Sequence, residues 1–346
     1  MTQTAIKIEN VTKIFGSDPQ NALALLKSGK SKAEVQAETS QLVGLNDVSL
    51  DVERGQISVV MGLSGSGKST LIRHVNRLIE PTSGAISVFG EDVLAMSDDA
   101  LRQFRRTKVA MVFQKFGLMP HMSVIDNVGY GLAIRGTDKK ERDAAARGWI
   151  ERVGLAGYED VRPHTLSGGQ QQRVGLARAL ALDTEIILMD EAFSALDPLI
   201  RSGMQDELIV LQRELNKTIL FITHDFDEAL KIGNHITVLN DGAVVQAGAP
   251  ESIVLNPKDD YVEEFVRGVN KARAIHVSAI MDREVPDACE FAVLETSTCE
   301  DVLPLFAEHD WVGVTDAEGN LTGRVTARRV IRALARHHNP VENTAA

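Results

Sequence analysis

Short runs of consecutive apolar residues recur along the chain, and stretches with helical spacing separate them. Strands that are buried on both faces have such continuous runs, whereas half-exposed strands alternate apolar and polar positions. The pattern therefore predicts an α/β fold with a mostly parallel sheet that helices cover on both faces. The predicted strands of this sheet are Ile57–Met61, Val109–Phe113, Ile186–Met189, Ile219–Thr223 and Ile236–Leu239.

The N-terminal part has two further predicted strands, Lys7–Val11 and Val48–Val52, on either side of a polar excursion. This excursion, about residues 17–43, contains two helix-start patterns, Ser17-x-x-Gln20 and Ser31-x-x-Glu34. A glycine between the two patterns is a typical helix stop. We therefore predict a helical hairpin inserted between the first two strands.

The composition changes after Arg267, and residues 276–338 have the pattern of a small βαββα unit. We place the domain boundary at 268–276, with a first domain at 1–270, and we expect a frayed tail at 339–346. The predicted strands of the C-terminal unit are Phe291–Leu294, Trp311–Val314 and Leu321–Val325, and its predicted helices are Cys299–Glu308 and Ala327–His337.

Composition limits the classes of function. The 346 residues suffice for two domains, and 44% apolar residues allow a substantial core. A net charge of −11 argues against nucleic acid as the main partner, because phosphate backbones select basic surfaces. We expect no signal peptide, and no apolar run reaches the ~20 residues that span a bilayer. Cys289 and Cys299 are expected to be free thiols in a reducing compartment.

The run Gly62-Leu63-Ser64-Gly65-Ser66-Gly67-Lys68-Ser69-Thr70 contains the phosphate-loop pattern G-x-x-x-x-G-K-[ST]. Glycines let several backbone N–H groups point into one concavity, and a following helix adds the positive end of its dipole. We expect Lys68 to reach the β- and γ-phosphates of a nucleotide and the Ser69 hydroxyl to bind Mg²⁺. The helix is predicted to span Thr70–Ile79. The apolar strand before the run disfavours the alternative of a chance glycine-rich turn.

Two carboxylates, Asp190 and Glu191, directly follow the predicted strand Ile186–Met189. A buried strand cannot easily hide charges, so both should emerge at the carboxyl edge of the sheet, where α/β folds bind ligands. We expect Asp190 to face the metal and Glu191 to polarise an attacking water. The alternative is a solvated turn, which the phosphate loop upstream disfavours.

A second run, Leu166-Ser167-Gly168-Gly169-Gln170, completes a family pattern. Residues 5–250 resemble the ATP-binding-cassette (ABC) ATPases, because their motifs follow the order of that family. This order is the phosphate loop, Gln114, the Leu166–Gln170 run, Asp190-Glu191 and His224. The resemblance implies a RecA-like core, an antiparallel β subdomain and a helical subdomain at about 115–180. It also implies that two copies form a homodimer in which each completes the ATP site of the other.

The resemblance implies roles for individual residues. Gln114 would contact Mg²⁺ or its water and report the nucleotide state to a membrane partner, and His224 would hydrogen-bond the γ-phosphate. The hydroxyl of Ser167 and the two small residues after it precede a helix predicted to start at Gln170, and they offer backbone N–H donors to an anion. Ser167, Gly168 and Gly169 would cap the γ-phosphate that the opposite subunit binds, and Asp197 would cross the dimer interface. Gln170 and Asp197 are also counted among the nucleotide-binding residues.

Two features leave alternatives open. Phe15 lies where the family has an aromatic residue that stacks on adenine, but it could also be a core residue. Residues 115–127 include Phe116, Leu118, Met119 and Met122 in a stretch broken by Gly and Pro. These side chains either fill the local core or dock a short helix of the transmembrane subunit.

The inserted hairpin and the run Asn76–Thr82 make the chain similar to the ATPase subunits of glycine betaine, proline betaine and choline importers, and most similar to the choline group. The C-terminal unit resembles a single cystathionine-β-synthase (CBS) module. Gly323-Arg324-Val325-Thr326 matches the start of the adenosine-binding pattern G-x-x-[ST]-x-x-D, but Arg329 replaces the Asp. The arginines of the C-terminal unit either bind an anion or anionic lipid headgroups, or form a solvated helix face. The unit itself either supports dimerisation or senses ionic strength.

We therefore expect an ATPase subunit of a quaternary-amine importer with a role in osmoprotection, at the cytoplasmic face of the membrane. ATP would close the homodimer, and hydrolysis would reopen it. Its partners would be transmembrane permease subunits and, through them, a separate substrate-binding protein. The alternatives are a cassette ATPase for another small solute, or a soluble one that acts on nucleic acid or ribosomes. The acidic charge and the single cassette argue against the last.

Overall fold

The structure is a computed structural model that describes residues 3–114, 117–194, 196–285 and 289–335. The chain divides into two compact units, Met1–Val245 and Gln246–Ala346. The predicted boundary at 268–276 lies inside the second unit, and the domain limits 1–270 and 276–338 stay predictions. Within the described ranges, each helix is too short or too polar to cross a lipid bilayer.

The first unit alternates strands with helices. Its strands are β1 (Thr4–Phe15), β2 (Leu42–Glu53), β3 (Ile57–Met61), β4 (Ser83–Val88), β5 (Glu91–Asp92), β6 (Val109–Val112), β7 (Ile186–Asp190), β8 (Thr218–Thr223), β9 (His235–Asn240) and β10 (Ala243–Gly248), which ends just past the boundary. Its helices are α1 (Pro19–Lys27), α2 (Lys32–Thr39), α3 (Lys68–Val75), α4 (Asp98–Thr107), α5 (Val124–Arg135), α6 (Lys139–Arg152), α7 (Gly168–Ala181), α8 (Pro198–Leu215) and α9 (Phe226–Ile232), with a 3₁₀ turn at Pro163–Thr165.

The main sheet has six strands in the order β10-β9-β3-β8-β7-β6. The pairs β3–β8, β3–β9, β6–β7 and β7–β8 are parallel, which confirms the predicted mostly parallel sheet. Every residue of β3, β7 and β8 is buried, as their continuous apolar sequences predicted. The carboxyl ends of these three central strands therefore meet at one edge of the sheet, where the candidate site lies.

A second sheet has the order β2-β1-β4-β5, and β1 pairs antiparallel with both β2 and β4. It provides the antiparallel subdomain that the family resemblance implied. One apolar cluster joins this sheet to the main sheet and to α3, and it includes Ile8, Val52, Leu71 and Leu220. The phosphate-loop helix is thus packed between two sheets.

The predicted helical hairpin is present as α1 and α2. Ser31 and Glu34 form the predicted capping box at the start of α2. The predicted cap at Ser17 is wrong: Asp18 caps α1 by accepting a hydrogen bond from the Asn21 N–H, and Pro19 occupies the first helical position, which suits its fixed φ.

Helices α5, α6 and α7 pack around their own apolar cluster, which includes Val124, Ile150 and Val174. This bundle falls in the range where the resemblance placed a helical subdomain, 115–180. It carries the first turn of α7 and the loop that precedes α5, both of which contain candidate functional residues.

The second unit has the predicted βαββα order around a three-stranded sheet. Its predicted helix Cys299–Glu308 is split, because Pro304 lacks an N–H and α-helix gives way to a 3₁₀ turn. The end of the last predicted helix, at His337, and the predicted tail 339–346 lie outside the described residues. Its elements are α10 (Pro250–Leu255), α11 (Asp260–Arg267), α12 (Lys271–Ala274), a 3₁₀ turn at Val277–Ala279, β11 (Ala292–Leu294), α13 (Cys299–Val302), a 3₁₀ turn at Leu303–Ala307, β12 (Trp311–Thr315), β13 (Leu321–Thr326) and α14 (Ala327–Ala335).

Both cysteines belong to the second unit and are free, as expected. Cys299 is buried, and burial raises the pKa of its thiol to about 11. Its thiolate is therefore scarce at neutral pH.

Candidate functional site

The phosphate loop lies between β3 and α3, and its glycines are sterically required. Gly62 has a φ of 150° and Gly67 a φ of 100°. A Cβ atom on Gly62 would lie 2.1 Å from the Leu239 carbonyl oxygen, and one on Gly67 would lie 2.7 Å from the Gly44 carbonyl oxygen. No larger residue fits at either position without moving backbone. Ser64 and Gly65 are exposed, whereas the buried Ser66 hydroxyl has no hydrogen-bond partner.

Helix α3 begins at Lys68 rather than at the predicted Thr70, so Ser69 and Thr70 lie in its first turn. It ends at Val75 rather than Ile79, because Arg77 has a left-handed φ of 52°. Gly67 caps the helix without a side-chain bond. The N–H groups of the first turn therefore have no cap that competes with an anion.

Lys68 is buried inside the loop that it would serve. Its ammonium donates to the carbonyl oxygens of Gly62, at 2.7 Å, and Leu63, at 2.9 Å. Burial lowers the pKa of Lys68, while the nearby Glu191 and Asp190 carboxylates oppose this shift. The loop thus holds a desolvated cation, which attracts a phosphate more strongly than a solvated one does.

Asp190 is the last residue of β7 and is 1% exposed. Its Oδ1 accepts a 2.7 Å hydrogen bond from the Ser69 hydroxyl, and its Oδ2 accepts a 3.1 Å bond from Arg73 Nη2. Two of the three predicted metal-binding residues, Ser69 and Asp190, are therefore in direct contact, whereas the third, Gln114, contacts Glu191. Arg73 belongs to none of the sequence motifs, but its position one helical turn after Ser69 places both residues on one face of α3.

Glu191 brings together the predicted catalytic residues. Its Oε2 accepts a 2.7 Å hydrogen bond from Gln114 Nε2 and lies 3.5 Å from His224 Nδ1. Its φ is 47°, a left-handed value that a non-glycine residue rarely adopts. Such backbone strain persists where the surroundings fix the conformation, and here the Glu191 N–H donates to the Ile222 carbonyl oxygen of β8 at 3.0 Å.

The run Leu166–Gln170 forms the start of α7. Ser167 Oγ accepts from the Gln170 N–H at 3.3 Å, and Gln170 Oε1 accepts from the Ser167 N–H at 2.9 Å. This capping box places Gly168 and Gly169 in the first turn of a 14-residue helix. Ser167 Oγ and Gln170 Oε1 thus bond within the run rather than to Gln114 or Glu191.

Asp197 caps α8 by accepting a 3.1 Å hydrogen bond from the Ile200 N–H. The two helix starts are neighbours, since a Cβ atom on Gly169 would lie 3.0 Å from Ile200 Cγ2. The structure thus places the start of α8, with Asp197, beside the Leu166–Gln170 run, a proximity that only the family resemblance implied.

Phe15 is 37% exposed at the end of β1, and the Lys13 ammonium lies 5.0 Å from the centroid of its ring. Phe15 is therefore not a core residue, the alternative that the sequence left open. An exposed ring can stack on a base. Adenine stacking by Phe15 stays a prediction.

The loop before α5 is held by Asn127, a fully buried residue that sequence reasoning did not single out. Its Oδ1 accepts from the Met119 N–H at 2.7 Å, and its Nδ2 donates to the carbonyl oxygens of Met119 and Met122. Leu118 packs against the α5–α7 cluster, whereas Met119 and Met122 are half-buried. Leu118 thus serves the local core, and the prediction for Phe116 lies outside the described residues.

Replacement of Asn127 by alanine is expected to lower the free energy of unfolding by about 2–3 kcal/mol, because buried backbone groups lose their partners. Urea unfolding measures the loss. The exposed Gln103→Ala variant is the control and should change the same quantity by less than about 0.5 kcal/mol. An Asn127→Ala protein as stable as this control would show that the loop keeps its conformation without the side chain.

The family of the chain follows from its similarity to known proteins. Residues 45–194 match the family described as ABC transporter. The glycine betaine transport ATP-binding protein OpuAA of Bacillus subtilis is 53% identical over 278 residues, which cover 80% of this chain and 66% of that protein. The trimethylamine N-oxide transport system ATP-binding protein TmoW of Ruegeria pomeroyi is 46% identical over 331 residues, which cover 93% of this chain and 97% of that protein.

Among solved structures, the dimeric ATP-binding cassette MJ0796 bound to ADP and Pi superposes with a TM-score of 0.60 at 32% identity. The match covers 70% of this chain and 98% of that chain. This likeness shows that the chain has the ATP-binding-cassette fold. The chain belongs to the ABC transporter family, as one of its ATP-binding proteins.

Proposed function

We propose that the chain is the ATP-hydrolysing subunit of an importer for quaternary amines such as glycine betaine and choline. The observation that carries the ATPase part is the cluster at one sheet edge, in which Ser69 contacts Asp190 and Gln114 contacts Glu191 beside the buried Lys68. The substrate class rests on relatives whose names specify glycine betaine, proline betaine or choline transport.

Each residue of the cluster suits one part of phosphoryl transfer to water. Lys68 and the N–H groups of the first turn of α3 bind the β- and γ-phosphates. Glu191 accepts a proton from the attacking water, and Gln114 and His224, both within 3.5 Å of its carboxylate, orient that water and the γ-phosphate. Positioned groups of this kind need no rearrangement at the moment of reaction.

The donor set around Asp190 fits Mg²⁺. Hydroxyl, carboxylate and amide oxygens are the ligands that Mg²⁺ prefers, and it keeps most of its other positions for water and phosphate. Ser69 and Asp190 would hold the ion, and Gln114 would contact it or its water. When bound, the ion neutralises charge that develops on the phosphate oxygens.

The residues at the starts of α7 and α8 would act on the ATP that a second copy of the chain binds. Ser167, Gly168, Gly169 and Gln170 would cap the γ-phosphate held by the partner copy, and Asp197 would cross the interface. Two such copies would act on transmembrane permease subunits through the loop that Asn127 holds, at the cytoplasmic face of the membrane. A separate substrate-binding protein would deliver the solute to these permease subunits.

The C-terminal unit is proposed to be a single CBS-like module. Arg329 donates to the carbonyl oxygens of Ile280 and Met281 and pairs with Asp282, and Arg324 pairs with Glu284. These bonds support a structural role for both arginines and disfavour adenosine binding at the Arg329 position. The unit then either supports dimerisation or inhibits transport at low ionic strength.

Deletion of residues 276–346 separates these two roles. If the unit inhibits transport at low ionic strength, uptake by cells with the truncated chain is expected to be as fast in low salt as in high salt. The comparison is the same salt series with the full chain. A salt dependence that the deletion leaves unchanged would exclude the inhibitory role and leave dimer support.

The substrate proposal is tested by uptake in cells that lack this chain, complemented with the wild type or with an empty vector. We expect uptake of labelled glycine betaine or choline to depend on the chain. Labelled trimethylamine N-oxide is the second candidate, because the TmoW relatives match this chain over nearly their whole length. All three compounds carry a methylated nitrogen, and dependence on none of them would overturn the substrate class.

A further inference from the structure

The inserted hairpin makes a polar contact with a distant turn. Lys32, the first residue of α2, donates from its ammonium to the Asp241 carbonyl oxygen at 2.6 Å and to Asp241 Oδ1 at 2.7 Å. The two residues are 209 positions apart in sequence. The Lys32 side chain is 19% exposed and the Asp241 side chain is 75% exposed, so water reaches the pair and its contribution is that of a surface ion pair.

The turn that Lys32 contacts is tight. Asp241 and Gly242 are the two residues between β9 and β10, and their φ values of 44° and 74° match a type I′ turn. A Cβ atom on Gly242 would lie 2.6 Å from the Gly44 carbonyl oxygen and 3.1 Å from Lys32 Nζ. The backbone of the turn therefore packs closely against both the hairpin and the start of β2.

The other side of this turn contacts the phosphate loop. The Gly242 N–H donates to the Ser66 carbonyl oxygen at 3.0 Å, and the Gly242 carbonyl accepts from the Asn46 N–H at 2.8 Å. A Cβ atom on Gly67 would lie 3.6 Å from Gly242 Cα. The turn thus supports the back of the Ser66–Gly67 segment, whose front faces the proposed phosphates.

The hairpin is itself well anchored. A separate apolar cluster joins its two helices to β1 and β2, and Gln41, which is 5% exposed, closes its ends by accepting from the Asp18 N–H and donating to the Thr39 carbonyl. The buried members of the cluster are Ile14, Ala22, Leu23, Val35 and Val43. A rigid hairpin can transmit a constraint to the turn that it contacts.

We propose that Lys32 is a positioning residue for the nucleotide site: through Asp241 and Gly242 it holds the Ser66–Gly67 segment in the conformation that binds ATP. The inserted hairpin is then a brace for the phosphate loop. Binding to a loop that is already ordered avoids the entropic cost of ordering it. The inference rests on the proposed function, since it assumes that the phosphate loop binds ATP.

The test uses two substitutions that break the same ion pair with opposite changes of charge, Lys32→Met and Asp241→Asn. Asparagine keeps the left-handed turn conformation. Binding of a fluorescent ATP analogue to the full chain is expected to weaken about three- to fivefold in Lys32→Met, which loses both bonds of a surface ion pair. In Asp241→Asn the backbone carbonyl and the amide oxygen can still accept from Lys32, so binding should weaken less. The double variant should bind no more weakly than Lys32→Met, because both changes act on one interaction.

Two further variants distinguish positioning from other effects. Lys32→Arg should bind the analogue like wild type, because the guanidinium can make the same two bonds. Lys30→Met, which loses the pair with Glu38 inside the same hairpin, should also bind like wild type despite the same charge change. The turnover number at saturating ATP should be nearly unchanged in Lys32→Met, since only the affinity depends on the brace.

The outcomes that overturn the proposal are specific. Equal affinity of Lys32→Met and Lys30→Met would exclude the brace, and tighter binding by Asp241→Asn would indicate a simple charge effect on the nucleotide. These results require that the wild type binds the analogue. A wild type that does not bind it would overturn the proposed function together with the brace.

Discussion

Replacement of Glu191 by glutamine is expected to reduce the turnover number for ATP by about 10²–10⁴-fold, the range that a general base contributes. The amide cannot accept a proton from water, but its oxygen can still accept the hydrogen bond from Gln114. ATP binding should therefore survive, and ATP should stay bound after hydrolysis has stopped. Phosphate release at saturating ATP measures the turnover number, and nucleotide retained after gel filtration measures the trapped state.

Glu185→Gln is the matched control, because Glu185 directly precedes the same strand, β7. Its carboxylate pairs with Arg54 and Lys108 at a partly exposed position, and such pairs contribute only ~0–1 kcal/mol to stability. The control should hydrolyse ATP like wild type. Equal turnover numbers for Glu191→Gln and Glu185→Gln would refute the role of Glu191 as the base.

Replacement of Lys68 by methionine is expected to weaken ATP binding by about 10²-fold, which corresponds to the loss of charge-assisted hydrogen bonds to phosphate. The same change should not lower the stability of the nucleotide-free protein. Burial lowers the pKa of Lys68, which means that its charged form is less favourable in the folded chain than in the unfolded one. A methionine of similar length removes this cost.

Thermal unfolding with and without ATP measures both effects. At an ATP concentration of 100 times its dissociation constant, the wild type should gain about 2.7 kcal/mol of stability, whereas a variant with 100-fold weaker binding should gain about 0.4 kcal/mol. Lys108→Met is the control, because Lys108 is partly exposed and directly precedes β6. This variant should keep the full gain in stability. An undiminished gain in Lys68→Met would contradict the assignment of Lys68.

Local patterns were sufficient to predict five of the six strands of the main sheet; the edge strand β10, which is only partly buried, was not predicted. The apolar runs of the five predicted strands are continuous because both faces are covered, and this condition depends only on the run itself. The capping box at Ser31 and Glu34 is equally local, as it spans three residues. The error at Ser17 and the break at Pro304 also had local signals: Pro19 beside Asp18 and a proline inside a predicted helix.

Long-range contacts could not be predicted from the sequence. Lys32 and Asp241 are 209 positions apart, and neither belongs to a motif. Asn127 holds a loop by bonds to Met119 and Met122 that any buried amide could make. Motifs identified Asp190 and Glu191 as site residues, but the contact of Glu191 with Gln114, 77 positions away, required the fold.

The central claim is that two copies of the chain complete the ATP sites, and the mass of the ATP-bound Glu191→Gln protein in solution tests it most directly. Light scattering with simultaneous measurement of bound nucleotide gives the mass of the particle that retains ATP. We predict a particle of twice the 37.7 kDa chain mass with one ATP for each chain. ATP retained in a particle of single-chain mass would contradict the account.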